Sequence, residues 1–155
     1  MKRLEDELLR LDNQLCFTLY AGSRAVTKMY RPLLDRLELS YPQYLVMLVL
    51  WEIDGLKVND IGRRLQLDSG TLTPLLKRME SQGLVRRARS GEDERAVLIT
   101  LTDRGRNLKK KAVAVPKELL CRSGLSPEEF LSLKKTLSDL IERMEKSSGV
   151  GDCSS

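Results

Sequence analysis

Apolar positions along this chain fall mostly into helical stripes, broken once by a short β pattern. Leu4, Leu8, Leu11 and Leu15 recur at steps of four, three and four. That spacing predicts an amphipathic helix that meets another helix. The pattern continues through Leu19 toward Tyr30, where Pro32 is expected to kink or end it and leave a short helical piece over Leu33 to Leu37. Ser40-Tyr41-Pro42 has the residues of a new helix start, with Ser40 as N-cap. From Tyr44 to Trp51 nearly every residue is apolar, which predicts a central, buried helix.

The next stretch changes period. After an Asp54-Gly55 turn, Val58 to Leu65 reads as a short helix with Ile61 and Leu65 facing inward. Gly62 costs about 1 kcal/mol there against Ala, and its expected benefit is close approach of the following helix. Asp68 and Ser69 are both good N-caps for that helix, and Leu72, Leu75, Leu76 and Met79 form its core stripe. Pro74 removes a backbone donor, so the helix is expected to begin late or with an irregular first turn. Gly83 stands where a glycine C-cap belongs. Leu84 to Arg89 and Arg95 to Leu101 read as two strands joined by the turn Ser90-Gly91-Glu92-Asp93-Glu94.

Thr102 then caps a helix running toward Leu120, which Pro116 is expected to kink. Gly124 ends that connection, and Ser126-Pro127-Glu128-Glu129 is a capping box with proline at the first helical position. Phe130, Leu133, Leu137, Leu140, Ile141 and Met144 form the last apolar stripe. The fold class these elements predict is mainly α with a small β-hairpin wing: a winged helix-turn-helix with helical arms that pair two copies. The expected divisions are dimerisation helices over residues 1–40, a winged lobe over 41–102, further dimerisation helices over 103–146 and a flexible tail over 147–155, all in one compact unit.

Composition narrows the chemistry. The 155 residues carry a formal net charge of +5, with 41% hydrophobic, 32% charged and 5% aromatic residues. A folded, helix-rich chain fits those figures, and a basic balance suits a polyanionic partner. No apolar run reaches the length of a membrane span and the N-terminus has no signal-peptide core, so a cytoplasmic location without membrane association is expected. Histidine is absent and the cysteines are Cys16, Cys121 and Cys153. Without histidine, CxxC or clustered carboxylates, neither a metal site nor a hydrolytic triad is expected, nor any cofactor.

A helix-turn-helix presents the polar side of its second helix to the DNA major groove. Here that side is Ser69, Thr71, Thr73 and Arg78, with Lys77 close by. Hydroxyls bond phosphates or base edges, and arginine grips a guanine edge at two points. The wing supplies Arg86, Arg87, Arg89 and Arg95, and arginine at a hairpin tip suits the minor groove. Asp93 is placed to brace Arg95. Basic residues collect on these elements, whereas acidic residues sit mainly in the flanking arms. The competing reading is a protein-interaction module with a solvated basic edge.

The stretch QLDSGTLTPLLKRMESQGLVRRARSGEDERAVLITLTDRG resembles the DNA-binding core of the MarR family of bacterial repressors, most closely at Asp93-Glu94-Arg95 and Leu101-Thr102-Asp103-Arg104-Gly105. The resemblance implies an obligate homodimer whose terminal helices interlock and which reads palindromic double-stranded operator DNA. Asn13-Gln14-Leu15-Cys16-Phe17, Tyr20, Tyr30 and SYPQYLVMLVLWE resemble the organic-hydroperoxide-sensing, OhrR-type branch, in its two-cysteine subtype. By that resemblance an organic hydroperoxide is the inducer, Cys16 is the redox sensor oxidised to a sulfenic acid, and Tyr20 and Tyr30 hydrogen-bond its sulfur. Cys121 is then the resolving thiol of an intersubunit disulfide that releases the operator, and Cys153 is incidental.

Spacing tests part of this. Cys16 and Tyr20 share one helix face. Tyr30 lies fourteen residues beyond Cys16, roughly 21 Å along a straight helix. It therefore reaches the sulfur only from a second chain or across a sharp bend. Two other readings stay open: a MarR-type repressor released by a small phenolic ligand, and a thiol peroxidase using Cys16. Against the enzyme, no general base or arginine adjoins Cys16.

Overall fold

Capping side chains set where most helices begin. The chain, seen here in a computed structural model, is described over residues 6–89 and 96–147. Of the expected tail, Ser147 closes the last helix and residues 148–155 lie outside the described residues, as do the wing turn with Asp93 and Arg95, Leu4 and Cys153. Residues 6–8 are helical, a single 3-10 turn covers Leu11–Asn13, and Gln14 is extended. Helix α1 then spans Leu15–Asp35. The leucine seam of the first arm is thus interrupted rather than carried on one helix. The amides of Asn13 and Gln14 stabilise the interruption, donating to the carbonyls of Glu7 (2.7 Å) and Leu8 (2.6 Å). Pro32 does not end α1 as expected. Its cost is one lost backbone bond, and the buried Leu33 and Leu34 anchor the turn that follows.

Helix α2, Tyr41–Glu52, starts with a full capping box: Ser40 Oγ accepts from the Gln43 amide and the Gln43 side chain accepts from the Ser40 amide. It is the core helix, with Tyr44, Val46, Met47, Val49 and Leu50 buried. Strand β1, Leu56–Lys57, follows, then α3, Val58–Leu65, and α4, Ser69–Ser81. Strands β2, Val85–Arg89, and β3, Val97–Leu101, form the hairpin. The sheet order is β1-β3-β2, antiparallel throughout, with Leu56 opposite Ile99 and Val85 opposite Leu101. Two-residue β1 was not foreseen; it has too few residues to show alternation.

Helix α4 starts at Ser69, not late, because the Asp68 carboxylate accepts from the Thr71 amide at 2.8 Å and so replaces the missing first-turn partner. Pro74 lies inside the helix and leaves only the Gly70 carbonyl without its i+4 donor. Gly83 (φ +69) ends it: the Leu84 amide reaches the Met79 carbonyl and the Gly83 amide reaches that of Glu80, the reverse-turn closure of a glycine C-cap.

Helix α5, Asp103–Ala112, and helix α6, Ala114–Ser123, break at Val113, before the proline expected to cause a kink. Pro116 falls in the first turn of α6, where a missing N–H leaves no bond unmade. Helix α7, Pro127–Ser147, begins with the anticipated box, Ser126 Oγ accepting from the Glu129 amide and Glu129 from the Ser126 amide.

The chain divides into two units, Met1–Val115 and Pro116–Ser155. In the first, Leu34, Tyr44, Met47, Leu50, Ile61, Leu72, Leu76, Met79, Val85 and Ile99 fill the core between α2, α3, α4 and the sheet. In the second, α7 buries no residue: Leu133 is 50% and Ile141 49% exposed. The N-terminal arm likewise leaves Leu8, Leu11, Leu15 and Phe17 exposed.

Candidate nucleic-acid interface and thiol site

Helix α4 is held by its apolar side, which turns its polar side outward. Leu72, Leu76 and Met79 are fully buried, whereas Ser69, Thr71, Lys77 and Arg78 are exposed and Thr73 is half-buried. The Thr71 hydroxyl donates to Asp68 at 2.9 Å, so this residue serves the cap as well as the surface. Thr71 holds the Asp68 carboxyl below the usual carboxylate range, through its backbone amide first and its hydroxyl second. The approach of α3 depends on Gly62: a methyl group there would sit 2.8 Å from the Leu67 carbonyl oxygen. The expected benefit of this glycine is therefore seen against the turn backbone more than against α4 itself.

The wing is fixed to α4. Glu80 accepts from the Arg87 amide at 3.0 Å and faces the Arg87 guanidinium at 3.8 Å. Arg87 is half-buried, and its Nε has no partner among the described residues. Arg86 and Arg89 are exposed. Thus two of the three described wing arginines face outward, and the third is directed against the lobe.

A second set of contacts fixes the wing base, and sequence reasoning missed most of it. Thr102 Oγ1 donates toward the Gly83 carbonyl (2.6 Å) and accepts from the Gly105 amide (3.0 Å). Trp51 Nε1 donates to the Gly105 carbonyl at 2.9 Å, and Lys109 donates to the Trp51 carbonyl at 2.8 Å. Asp54 accepts from the Leu101 amide (2.8 Å) and from Arg106 (2.7 Å). Arg104 joins the Gln82 carbonyl and Glu38, both at 2.9 Å. The Leu101-to-Gly105 run thus owes its residue types to the join of hairpin and helix. Its partners lie between 18 and 66 residues away, which hides them from local pattern.

The thiol stands apart from this lobe. Cys16 is the second residue of α1, exposed and unbonded to another sulfur. Tyr20 lies one turn on, also exposed, with its ring 6.5 Å from that of Phe17. Arg24 Nη1 donates to Tyr20 Oη at 3.1 Å. Tyr30 is on the same helix and does not approach Cys16; its ring stacks on Tyr41 (4.9 Å) and Tyr44 (5.8 Å) instead. Tyr44 continues edge-on to Trp51 at 6.4 Å. Cys121 is exposed on α6, in the second unit. A cleft of about 870 Å³ between α1, the Glu38–Gln43 segment and the end of α4 is lined by Arg24, Lys28, Arg31, Tyr41, Gln43 and Arg78, among others.

Burial, then the neighbouring Tyr41 and Tyr44, push the Tyr30 phenol up to about 12 from 10.0. Burial also raises Tyr41 and Tyr44. Such phenols stay protonated in the folded chain while they ionise in the unfolded one. The Tyr30 contribution to stability is therefore complete below pH 10 and is lost as pH rises toward 12. Denaturant midpoints measured across that alkaline range are expected to fall, and to fall less in Tyr30→Phe. Equal slopes for both proteins would contradict the assignment.

A capped helix seated against a three-stranded wing, with its hydroxyls and cations outward, defines a winged helix-turn-helix protein. The model of the transcriptional regulator SarA/Rot family matches residues 28–112. The organic hydroperoxide resistance transcriptional regulator of Bacillus subtilis is 55% identical over 138 residues, covering 89% of this chain and 94% of its own. Among solved structures, reduced AbfR bound to DNA matches with TM-score 0.78 at 38% identity, over 92% of this chain and 97% of that one. AbfR, from Staphylococcus epidermidis, also has a disulfide form, which matches with TM-score 0.60 at 42% identity, over 91% of this chain and 99% of that one. The chain belongs to the MarR-type family of winged-helix transcriptional regulators, in the branch that includes the organic hydroperoxide regulator. No helix among the described residues is long and apolar enough to cross a membrane.

Proposed function

We propose that this chain is a redox-sensing, DNA-binding transcriptional repressor that an organic hydroperoxide releases from its operator. Two copies pair through the apolar faces of the N-terminal arm and α7, and the homodimer, in the cytoplasm, reads a palindromic duplex. Helix α4 enters the major groove with Ser69, Thr71, Thr73, Lys77 and Arg78. Arg86, Arg89 and Arg95 serve the neighbouring backbone and minor groove, with Asp93 bracing Arg95, while Arg87 ties the wing to α4. The carrying observation is an exposed Cys16 one helical turn from Tyr20, in a chain 55% identical to a regulator named for organic hydroperoxide resistance.

In the chemical step the Cys16 thiolate attacks one peroxide oxygen and the O–O bond breaks. Sulfur is oxidised by two electrons to a sulfenic acid, and the peroxide leaves as an alkoxide that takes up a proton to become an alcohol. The Cys121 thiol of the second copy then displaces water from the sulfenic acid and forms a disulfide. That bond needs the two Cα atoms within about 7 Å. Tyr30 is fourteen residues from Cys16 on its own helix, so in this reading it serves the sulfur of the other copy, still carrying its proton at neutral pH. Each sulfur reacts once, which distinguishes a sensor from a thiol peroxidase, and the role is not enzymatic.

The test is a DNA-binding titration of reduced and peroxide-treated protein, repeated on Cys16→Ser and Cys121→Ser. Oxidised wild type is expected to lose operator affinity, Cys16→Ser to keep it, and Cys121→Ser to be impaired in release. Unchanged affinity after full oxidation of the wild type removes the switch. The cleft lined by Arg24, Lys28, Arg31 and Arg78 favours one second reading, release by a small phenolic acid seated there. Cys16→Ser protein released normally by such a ligand, with wild type indifferent to peroxide, is the result that would establish it.

A further inference from the structure

We propose that Arg24 is a positioning residue for peroxide reduction at Cys16, acting through Tyr20 so that the phenol delivers its proton to the departing alkoxide. The proposal rests on the sensor reading above. Cys16, Tyr20 and Arg24 follow one another at i, i+4 and i+8, so they line one face of α1. Arg24 holds Tyr20 by two contacts: Nη1 donates to the phenolic oxygen at 3.1 Å, and the guanidinium carbon lies 5.6 Å from the ring centroid.

The first contact decides which way the phenol works. A guanidinium has only donors, so Tyr20 accepts from Arg24 and its own proton is left to be given elsewhere. A cationic donor on the oxygen also polarises the O–H toward giving that proton. The second contact keeps the ring against the helix and limits its rotation.

Peroxide reduction needs such a group. When sulfur takes one oxygen, the other leaves as an alkoxide and must gain a proton. The chain has no histidine. The neighbouring hydroxyl, Thr18, already donates to the Gln14 carbonyl at 3.3 Å, and the Asn13 amide donates to the Glu7 carbonyl at 2.7 Å. On the Cys16 helix face that leaves Tyr20 with an uncommitted proton among the described residues. No arginine adjoins the thiol in sequence, but Arg24 is bonded to the phenol that lies one helical turn from it.

The experiment measures single-turnover oxidation of Cys16 by cumene hydroperoxide, without DNA, in wild type, Arg24→Gln, Tyr20→Phe and the double variant. Alkylation by iodoacetamide is measured in parallel, because it needs the thiolate but no proton for a leaving oxygen. General acids contribute at least a hundredfold as a rule, and Arg24 acts at one remove, so Arg24→Gln is expected to oxidise about tenfold more slowly. Its alkylation rate is expected to match wild type, and adding it to Tyr20→Phe is expected to cost nothing further. A wild-type oxidation rate in Arg24→Gln overturns the proposal alone. So do losses that multiply in the double variant, or alkylation slowed as much as oxidation, since Arg24 would then act on the sulfur by its charge. Cys16 left intact by peroxide in the wild type overturns the sensor reading and this proposal together.

Discussion

Gly105→Ala is expected to destabilise the winged lobe by about 3 kcal/mol or more, at the upper end of what overpacking costs. A methyl group on Gly105 would fall far inside contact distance of the Leu84 carbonyl oxygen and 3.2 Å from Leu101 Cδ2. The oxygen cannot retreat freely, because it accepts from the Thr102 amide at 3.1 Å. Helix α5 cannot retreat either without stretching the Trp51 bond to the Gly105 carbonyl. The closest clashing partner is backbone, so relief requires separating α5 from the hairpin base.

Gly83 makes the contrast. It needs a left-handed backbone (φ +69) but a methyl group there meets nothing within 4 Å. Gly83→Ala should cost only the conformational term, about 1–2 kcal/mol. Denaturant unfolding of both variants by circular dichroism checks the order. Gly105→Ala within about 0.5 kcal/mol of wild type would show that the hairpin base yields more easily than its hydrogen bonds imply.

This pair also shows what the sequence reveals and what it hides. Gly83 was legible as a C-cap because its causes lie within a few residues: the end of the leucine stripe and the carbonyls of Met79 and Glu80. The same holds for Ser40, Asp68, Thr102 and Ser126, each of which finds its partner three residues on. Gly105 stood out only as part of a recurring run of residues. Its reason sits on Leu84 and Trp51, which no helical or strand period connects to it. Asp54 is similar, marked as a turn residue while its carboxylate serves Leu101 and Arg106.

Two prolines disrupt less than their sequence suggests. Pro32 and Pro74 both stay inside their helices, because burial on the next turn or a capped first turn absorbs one missing donor, whereas the helix expected to kink at Pro116 does break, at Val113. The arm break ahead of Cys16 came from asparagine and glutamine amides that bond carbonyls six residues back, a spacing outside either period. Cys16 itself was singled out by resemblance, since an exposed thiol on a helix has no local signature of reactivity.

Charging the α7 stripe is expected to dissolve the proposed homodimer. Phe130, Leu133, Leu137, Leu140, Ile141 and Met144 recur at helical spacing, yet α7 buries none of them in the single chain. Exposed contiguous apolar surface of this kind marks an interface. Leu133 and Ile141, two turns apart on the stripe, are half exposed, so glutamate at both positions disturbs little within one chain. In a paired interface the same two carboxylates would be buried without partners, a cost of several kcal/mol each.

The double variant Leu133→Glu/Ile141→Glu is therefore expected to sediment as a monomer. Its operator affinity is expected to fall by about 10²–10⁴-fold, because two linked half-site contacts become one. Leu131→Glu is the control: it lies off the stripe and is 64% exposed, so it should leave both mass and affinity unchanged. A double variant that stays dimeric and binds operator like wild type would place the pairing surface elsewhere. The distance between the two reading helices would then be set by something other than α7, and a Cys16–Cys121 bond between copies would lose its route to the DNA.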